Sequence, residues 1–153
     1  MAHLATGGDD CCAKLWDLSA LKPGEREALP RDASGWPVYG VPAKVIGSQT
    51  DAEGSHSGAV TSIAFSPGKG KLLATGSVDG TAMVTDLGFL GGQGKMVGHE
   101  AGVLSVSWSP DGSWLATCSA DHSVRVWSIN EKGFYSHSFV PLSKIQVRIG
   151  CLA

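Results

Sequence analysis

Leu4-Ala5-Thr6-Gly7-Gly8-Asp9-Asp10 returns as Leu73-Ala74-Thr75-Gly76-Ser77-Val78-Asp79, and again as Leu115-Ala116-Thr117-Cys118-Ser119-Ala120-Asp121. In every copy the aspartate stands six residues after the leucine, and Trp16, Thr85 or Trp127 stands six further on. A second block precedes the later two copies: His56-Ser57-Gly58-Ala59-Val60-Thr61-Ser62-Ile63-Ala64-Phe65-Ser66-Pro67 and His99-Glu100-Ala101-Gly102-Val103-Leu104-Ser105-Val106-Ser107-Trp108-Ser109-Pro110. The blocks are 43 residues apart, and Leu73 and Leu115 are 42 apart. A unit that recurs at this spacing buries its apolar faces against its neighbours rather than in a core of its own. The repeat therefore fixes the architecture before any single residue does.

Within the blocks the period is two. Val60, Ser62 and Ala64 alternate with Thr61, Ile63 and Phe65; Val103, Ser105 and Ser107 alternate with Leu104, Val106 and Trp108. Both faces are apolar or small, which predicts strands in a sheet covered on both sides. Ser-Pro ends each strand, because proline cannot donate to a ladder. Asp79-Gly80 and Asp111-Gly112 are tight-turn dipeptides. No segment combines a 3.6-residue period with caps, so no helix is predicted. The 21 glycines fit many turns between short strands. The predicted class is all-β.

Gly98-His99, Ser109-Pro110-Asp111-Gly112 and Trp16-Asp17, within a period of about 40–45 residues, resemble the WD-repeat family. The resemblance covers residues 1–18 and about 56–140. It implies a partial β-propeller of four-stranded antiparallel blades. Residues 1–55 would form an incomplete blade one with a loop insertion at about 19–40. Residues 56–98 would be blade two, 99–142 blade three and 143–153 an irregular C-terminal tail. Pro23, Pro30 and Pro37 make the insertion a surface excursion, and 41–46 would hold the fourth strand of blade one. Ile145-Gln146-Val147-Arg148-Ile149 is one more strand-like run, offered as a cap for an open edge, such as the place of blade one's absent first strand. Fewer than three blades do not close a ring. The expectation is a fragment of a longer protein, or a chain completed by others that supply blades.

The resemblance also implies a buried tetrad in each blade: His before the first strand, Ser or Thr in the second, Asp in the next turn and Trp in the third. Blade three offers His99, Thr117 or Ser119, Asp121 and Trp127. Blade two offers His56, Thr75 or Ser77, and Asp79, with Thr85 in place of the tryptophan. Blade one keeps Asp10 and Trp16. Partner contacts in the family come from the residue before the turn aspartate and from the opening of the first strand. Here these are Asp9, Val78 and Ala120, with Ala59, Thr61, Gly102 and Leu104. Trp36 reads either as packing on its own loop or as a partner anchor.

Other chemistries find little support. Twelve basic against 14 acidic residues leave no surplus for a phosphate backbone. No run reaches the roughly 18 apolar residues that cross a bilayer. Four cysteines without a Cys-x-x-Cys pair fit a reducing compartment, cytoplasmic or nuclear. His3, His56, His99, His122 and His137 are scattered, so no metal or other cofactor is expected. His99, Asp121 and Ser119 imitate a hydrolase triad, but the tetrad already occupies them. Gly91-Gly92-Gln93-Gly94-Lys95 precedes no helix and reads as a hairpin loop rather than a phosphate loop. The expected function is a non-catalytic scaffold for protein or peptide partners, with no membrane and no small-molecule substrate. The alternatives are a nucleic-acid-associated propeller subunit or, less favoured, a propeller enzyme.

Overall fold

The computed structural model describes residues 3–17, 44–46, 55–68, 71–88, 93–129, 138–139 and 141–146. Their regular structure is entirely strand. Blade one is a three-stranded sheet of β1 (His3–Gly7), β2 (Ala13–Asp17) and β3 (Lys44–Ile46), in that order. β3 supplies the fourth-strand position expected near 41–46. Blade two runs β4 (Val60–Phe65), β5 (Leu72–Ser77), β6 (Ala82–Asp86) and β7 (Gln93–Met96), each antiparallel to the next. Blade three runs β8 (Val103–Trp108), β9 (Trp114–Ser119) and β10 (Ser123–Ser128).

Two further strands, one of two residues and one of six, complete the architecture differently from the sequence reading. β11 (Ser138–Phe139) adds to β7 in parallel, as a fifth strand of blade two. β12 (Pro141–Gln146) then pairs antiparallel with β10 as the fourth strand of blade three. The irregular tail expected from residue 143 is thus corrected: Ile145 and Gln146 lie in a ladder opposite Val124 and Ser123. The reason is local. β10 has an outer edge, and these residues satisfy its open backbone groups. The same pairing takes them away from blade one's missing first strand. Residues 147–149, the 19–40 insertion and Trp36 lie outside the described residues. The hairpin loop read over 91–95 is also shorter than expected, because Gln93 already begins β7.

The strand ends follow from side chains. Ser66 donates its amide to the Leu72 carbonyl (2.9 Å) and accepts the Leu72 amide on its hydroxyl (3.1 Å). Ser109 does the same with Trp114, at 2.9 and 3.0 Å. The serine of each Ser-Pro pair therefore finishes the ladder that the proline cannot continue. Asp111 accepts from the Ser109 and Ser113 hydroxyls and from the Ser113 amide, which together hold its carboxyl down to about 2.

The cores lie between blades. One cluster joins Ala74, Ala82, Val84 and Met96 of blade two to Val103, Val106, Leu115, Trp127 and Ile129 of blade three. A smaller one joins Ala13 and Ile46 of blade one to Leu73 of blade two. Glycine makes these seams close. A Cβ on Gly76 would stand 2.7 Å from Val103 Cγ1, and one on Gly7 would stand 2.6 Å from Val60 Cγ1. Each is a notch that receives the first valine of the next blade. In blade three the same place is Cys118, which is exposed.

Strict alternation along the first strands is corrected as well. The register shifts between Val60 and Ser62, and again between Val103 and Ser105. Thr61 and Leu104 are the extra residues of two bulges. Val103 therefore joins Val106 in the core, while Leu104 is 51% exposed.

Candidate functional site

In blade three, His99, Thr117, Asp121 and Trp127 form one hydrogen-bonded chain. His99 Nδ1 is 2.9 Å from Asp121 Oδ2, and His99 Nε2 is 2.7 Å from Thr117 Oγ1. Trp127 Nε1 donates to the same Thr117 oxygen at 2.9 Å. A neutral ring protonated on Nδ1 satisfies every member: the indole donates to Thr117, Thr117 to His99, and His99 to the carboxylate. Burial pushes the Asp121 carboxyl up, but the bonds from Ser123, His99 and the Glu100 amide outweigh it and hold the group below the usual range. Trp127 and Thr117 are fully buried.

Ser119, the alternative second-strand member, does a different job. Its hydroxyl donates to the Ala101 carbonyl (2.9 Å) and accepts the Asp121 amide (3.1 Å). Ser77 holds Gly58 and Asp79 in the same way. A serine so engaged is not paired with His99, and the triad-like composition of blade three builds no nucleophile and base.

Blade two assembles a variant. His56 Nε2 is 2.8 Å from Thr75 Oγ1, as in blade three. Its Nδ1, however, lies 3.1 Å from Thr81 Oγ1 and 3.4 Å from Asp79 Oδ2. Thr81 in turn donates to Asp79 Oδ1 at 2.6 Å. Burial lowers the His56 pKa, against the pull of Asp79. Thr85, in the tryptophan's place, is buried, and its hydroxyl has no partner.

Blade one holds half of the network. Trp16 Nε1 donates to Thr6 Oγ1 at 2.9 Å. Asp10 accepts the Cys12 amide on Oδ1, and Lys14 sits on its Oδ2 at 2.5 Å. No disulfide joins Cys11, Cys12 or Cys118, and burial raises the Cys12 thiol. Among the described residues no cluster of three or more His, Cys, Asp or Glu is placed to hold a metal, and no helix is long and apolar enough to cross a membrane.

The expected contact residues fall along one rim. The Val78 amide donates to the Ala59 carbonyl, and the Ala120 amide donates to Gly102. Gly102 in turn packs on Val78: a Cβ there would stand 3.0 Å from Val78 Cα. At the blade one seam the Val60 amide donates to Gly8, beside Asp9. Asp9, Ala59, Val78, Gly102 and Ala120 thus follow one another across three blades. The bulged Thr61 and Leu104 stand at the head of the inner strands. The Thr61 hydroxyl is spent on the Gly76 and Val103 carbonyls at 3.0 and 2.5 Å, so it serves the seam. Val78 and Leu104 remain about half exposed.

Three sheets of one repeat, each with a Thr and an Asp at matching positions, agree with the sequence match that decides the family. The profile described as WD domain, G-beta repeat fits residues 1–17, 48–86 and 93–128. The chain belongs to this WD-repeat family. Protein HIRA of Dictyostelium discoideum is 33% identical over 140 residues, covering 84% of this chain. WD repeat-containing protein 1 of Mus musculus is 29% identical and covers 98%, and Actin-interacting protein 1 of Drosophila melanogaster is 29% identical and covers 63%. The chain spans only 11%, 21% and 16% of those proteins respectively.

The WD-repeat reading missed residues that the repeat could have shown. Thr81 and Ser123 stand two residues after each aspartate and donate to it. Lys14 occupies the same repeat position as Met83 and Arg125.

Proposed function

We propose that the chain is a non-catalytic protein-interaction scaffold whose rim, from Asp9 through Val78 to Ala120 and Leu104, contacts protein or peptide partners. The carrying observation is the exposure of Val78 and Leu104, 52% and 51%, on turns and bulges locked by buried polar networks. Rigid elements with exposed apolar side chains bind with little ordering cost. The rim's single charged candidate is Asp9, which favours a peptide or flat protein surface over a phosphate backbone. That one relative carries actin interaction in its name supports the protein-partner class, without transferring the partner.

The test compares affinity capture by the wild-type chain, by Val78→Glu/Leu104→Glu, and by Lys71→Glu at the opposite end of β5. Proteins retained by wild type and Lys71→Glu but lost by the double variant, at unchanged urea midpoint, are the expected result. Identical capture by all three chains would remove the rim from the reading.

A further inference from the structure

Three copies of one repeat allow each position to be judged against its counterparts. Lys14, Met83 and Arg125 stand at one repeat position, two residues before Trp16, Thr85 and Trp127. Lys14 is paired with Asp10. Met83 is buried and carries no charge. Arg125 has neither arrangement. Among the described residues it makes no ion pair, and its Nε is buried without a hydrogen-bond partner.

The acids within reach of β10 are already engaged. Asp121 accepts from Ser123, from His99 and from the Glu100 amide. The register partners of Arg125 are Thr117 on β9 and Lys144 on β12, so neither flanking strand sets a carboxylate opposite it. A polar group that has lost its water costs free energy until an acceptor replaces that water. The same loss of water strengthens its attraction for an anion. The side chain as a whole is only partly buried, so its terminal fork can be reached from outside.

The fork has a defined seat. Arg125 is two residues from Ser123 and from Trp127 and shares their face of β10. That face is turned to blade two, because Trp127 packs with Val84 and Met96 in the seam cluster. The guanidinium lies against Gly98: a Cβ there would stand 2.7 Å from Arg125 Nη1 and 3.2 Å from its Cζ. The glycine that precedes His99 thus makes room for a cation. Next to it Val97 is 60% exposed. Phe139 lies beside Met96 and Pro141 beside Trp127, so the chain crosses this seam one residue short of Val97 and two short of Arg125.

We propose that Arg125, seated on Gly98 where the outer strand of blade two meets blade three, is a docking point for a carboxylate of a partner polypeptide. The occupant is an aspartate or glutamate with an aliphatic neighbour that packs on Val97. Nη1 and Nη2 form a planar fork that matches two carboxylate oxygens. One carboxylate balances the single positive charge. A phosphate dianion would leave negative charge over, on a chain whose net charge is already −2. The site is separate from the rim and shares with it only the class of partner.

The probe is the peptide acetyl-Ala-Val-Glu-Val-Ala-amide, titrated into the ¹⁵N-labelled 153-residue chain and followed by NMR. Saturable shifts of the Val97 and Gly98 amides and of the Arg125 Nε–H are expected. The same peptide with glutamine in place of glutamate should bind at least about tenfold more weakly, the loss of hydrogen bonds to a charged group. Arg125→Met, which copies blade two, should abolish the shifts at Val97 and Gly98, and Gly98→Ala, which displaces the fork, should weaken them. Equal binding of the glutamine peptide, or unchanged shifts in Arg125→Met, would overturn the proposal. Tighter binding of the phosphoserine version would overturn the choice of carboxylate. If Arg125→Met fails to fold, the glutamine peptide on the wild-type chain still decides. The rim variant Val78→Glu/Leu104→Glu should bind the glutamate peptide normally, so this test and the rim test fail independently.

Discussion

A hydroxyl buried without a partner costs about 1–3 kcal/mol relative to a paired one, whereas an apolar group of the same shape costs nothing of the kind. Thr85 Oγ1 is in that position. Thr85→Val should therefore raise stability by about 1 kcal/mol, read as an increased urea midpoint; an unchanged or lower midpoint would mean that the hydroxyl is satisfied in solution. His56 makes a second residue-scale prediction. Burial holds its folded pKa below the usual 6.5. The unfolded chain then takes up the proton first as pH falls, so stability is full above about 6.5 and declines toward the folded value. The urea midpoint should fall between pH 7.5 and 5.5, and His56→Gln should remove part of that slope. Below the ordinary carboxylate range the depressed Asp79 and Asp121 act with the same sign, their contribution lost as they protonate. A slope unaltered in His56→Gln would show that this imidazole is not the titrating group. Blade two thus carries an unpaired hydroxyl and a proton-sensitive ring at the place where its tryptophan is replaced.

Blade three, with its complete network, is the element to test by deletion. Trp127 is 0% exposed and belongs both to the hydrogen-bonded chain and to the seam cluster. Trp127→Ala should cost about 3–5 kcal/mol, from the cavity and from the donor taken from Thr117. A urea midpoint within error of wild type would refute its role. At this scale the sequence was read well where a residue type has one use. The tetrad came from the WD-repeat resemblance, which the repeat placed on His99, Asp121 and Trp127, residues that the structure joins through Thr117, and Asp-Gly pointed to a turn. It was read poorly where one extra residue changes the register. The alternation in 103–108 looked regular, yet the bulge at Leu104 turns Val103 inward, because opposite strands must match hydrogen bonds before side chains. Ser119 and Thr117 are two apart and share one face, so spacing alone left both open; only the hydroxyl geometry separates them. The strand-like run read over 145–149 was displaced rather than missed: β12 spans Pro141–Gln146 and pairs with β10, and an open edge accepts many sequences, so the sequence alone did not choose which edge it covers.

The seams of the whole molecule are unequal. Blades two and three share the Thr61–Val103, Ser62–Val106 and Ala64–Trp108 bonds and the larger cluster. Blades one and two share the Val60–Gly8 bond and the smaller cluster. In a stack of repeats, stability is close to a sum of such interfaces. Native-state hydrogen exchange should therefore open β1–β3 at lower free energy than β5 and β9; equal protection across the three sheets would contradict this ordering. Between blades the fit is of knob and notch: Val60 into Gly7, Val103 into Gly76. Such a contact has a sense of direction, since the earlier blade always gives the notch and the later one the knob. A single seam crossed by a two-fold axis would set notch against notch, or knob against knob. Copies meeting through their terminal blades would have to do so head to tail, and that relation generates either a closed ring, whose smallest case is two copies about a two-fold axis, or an open filament.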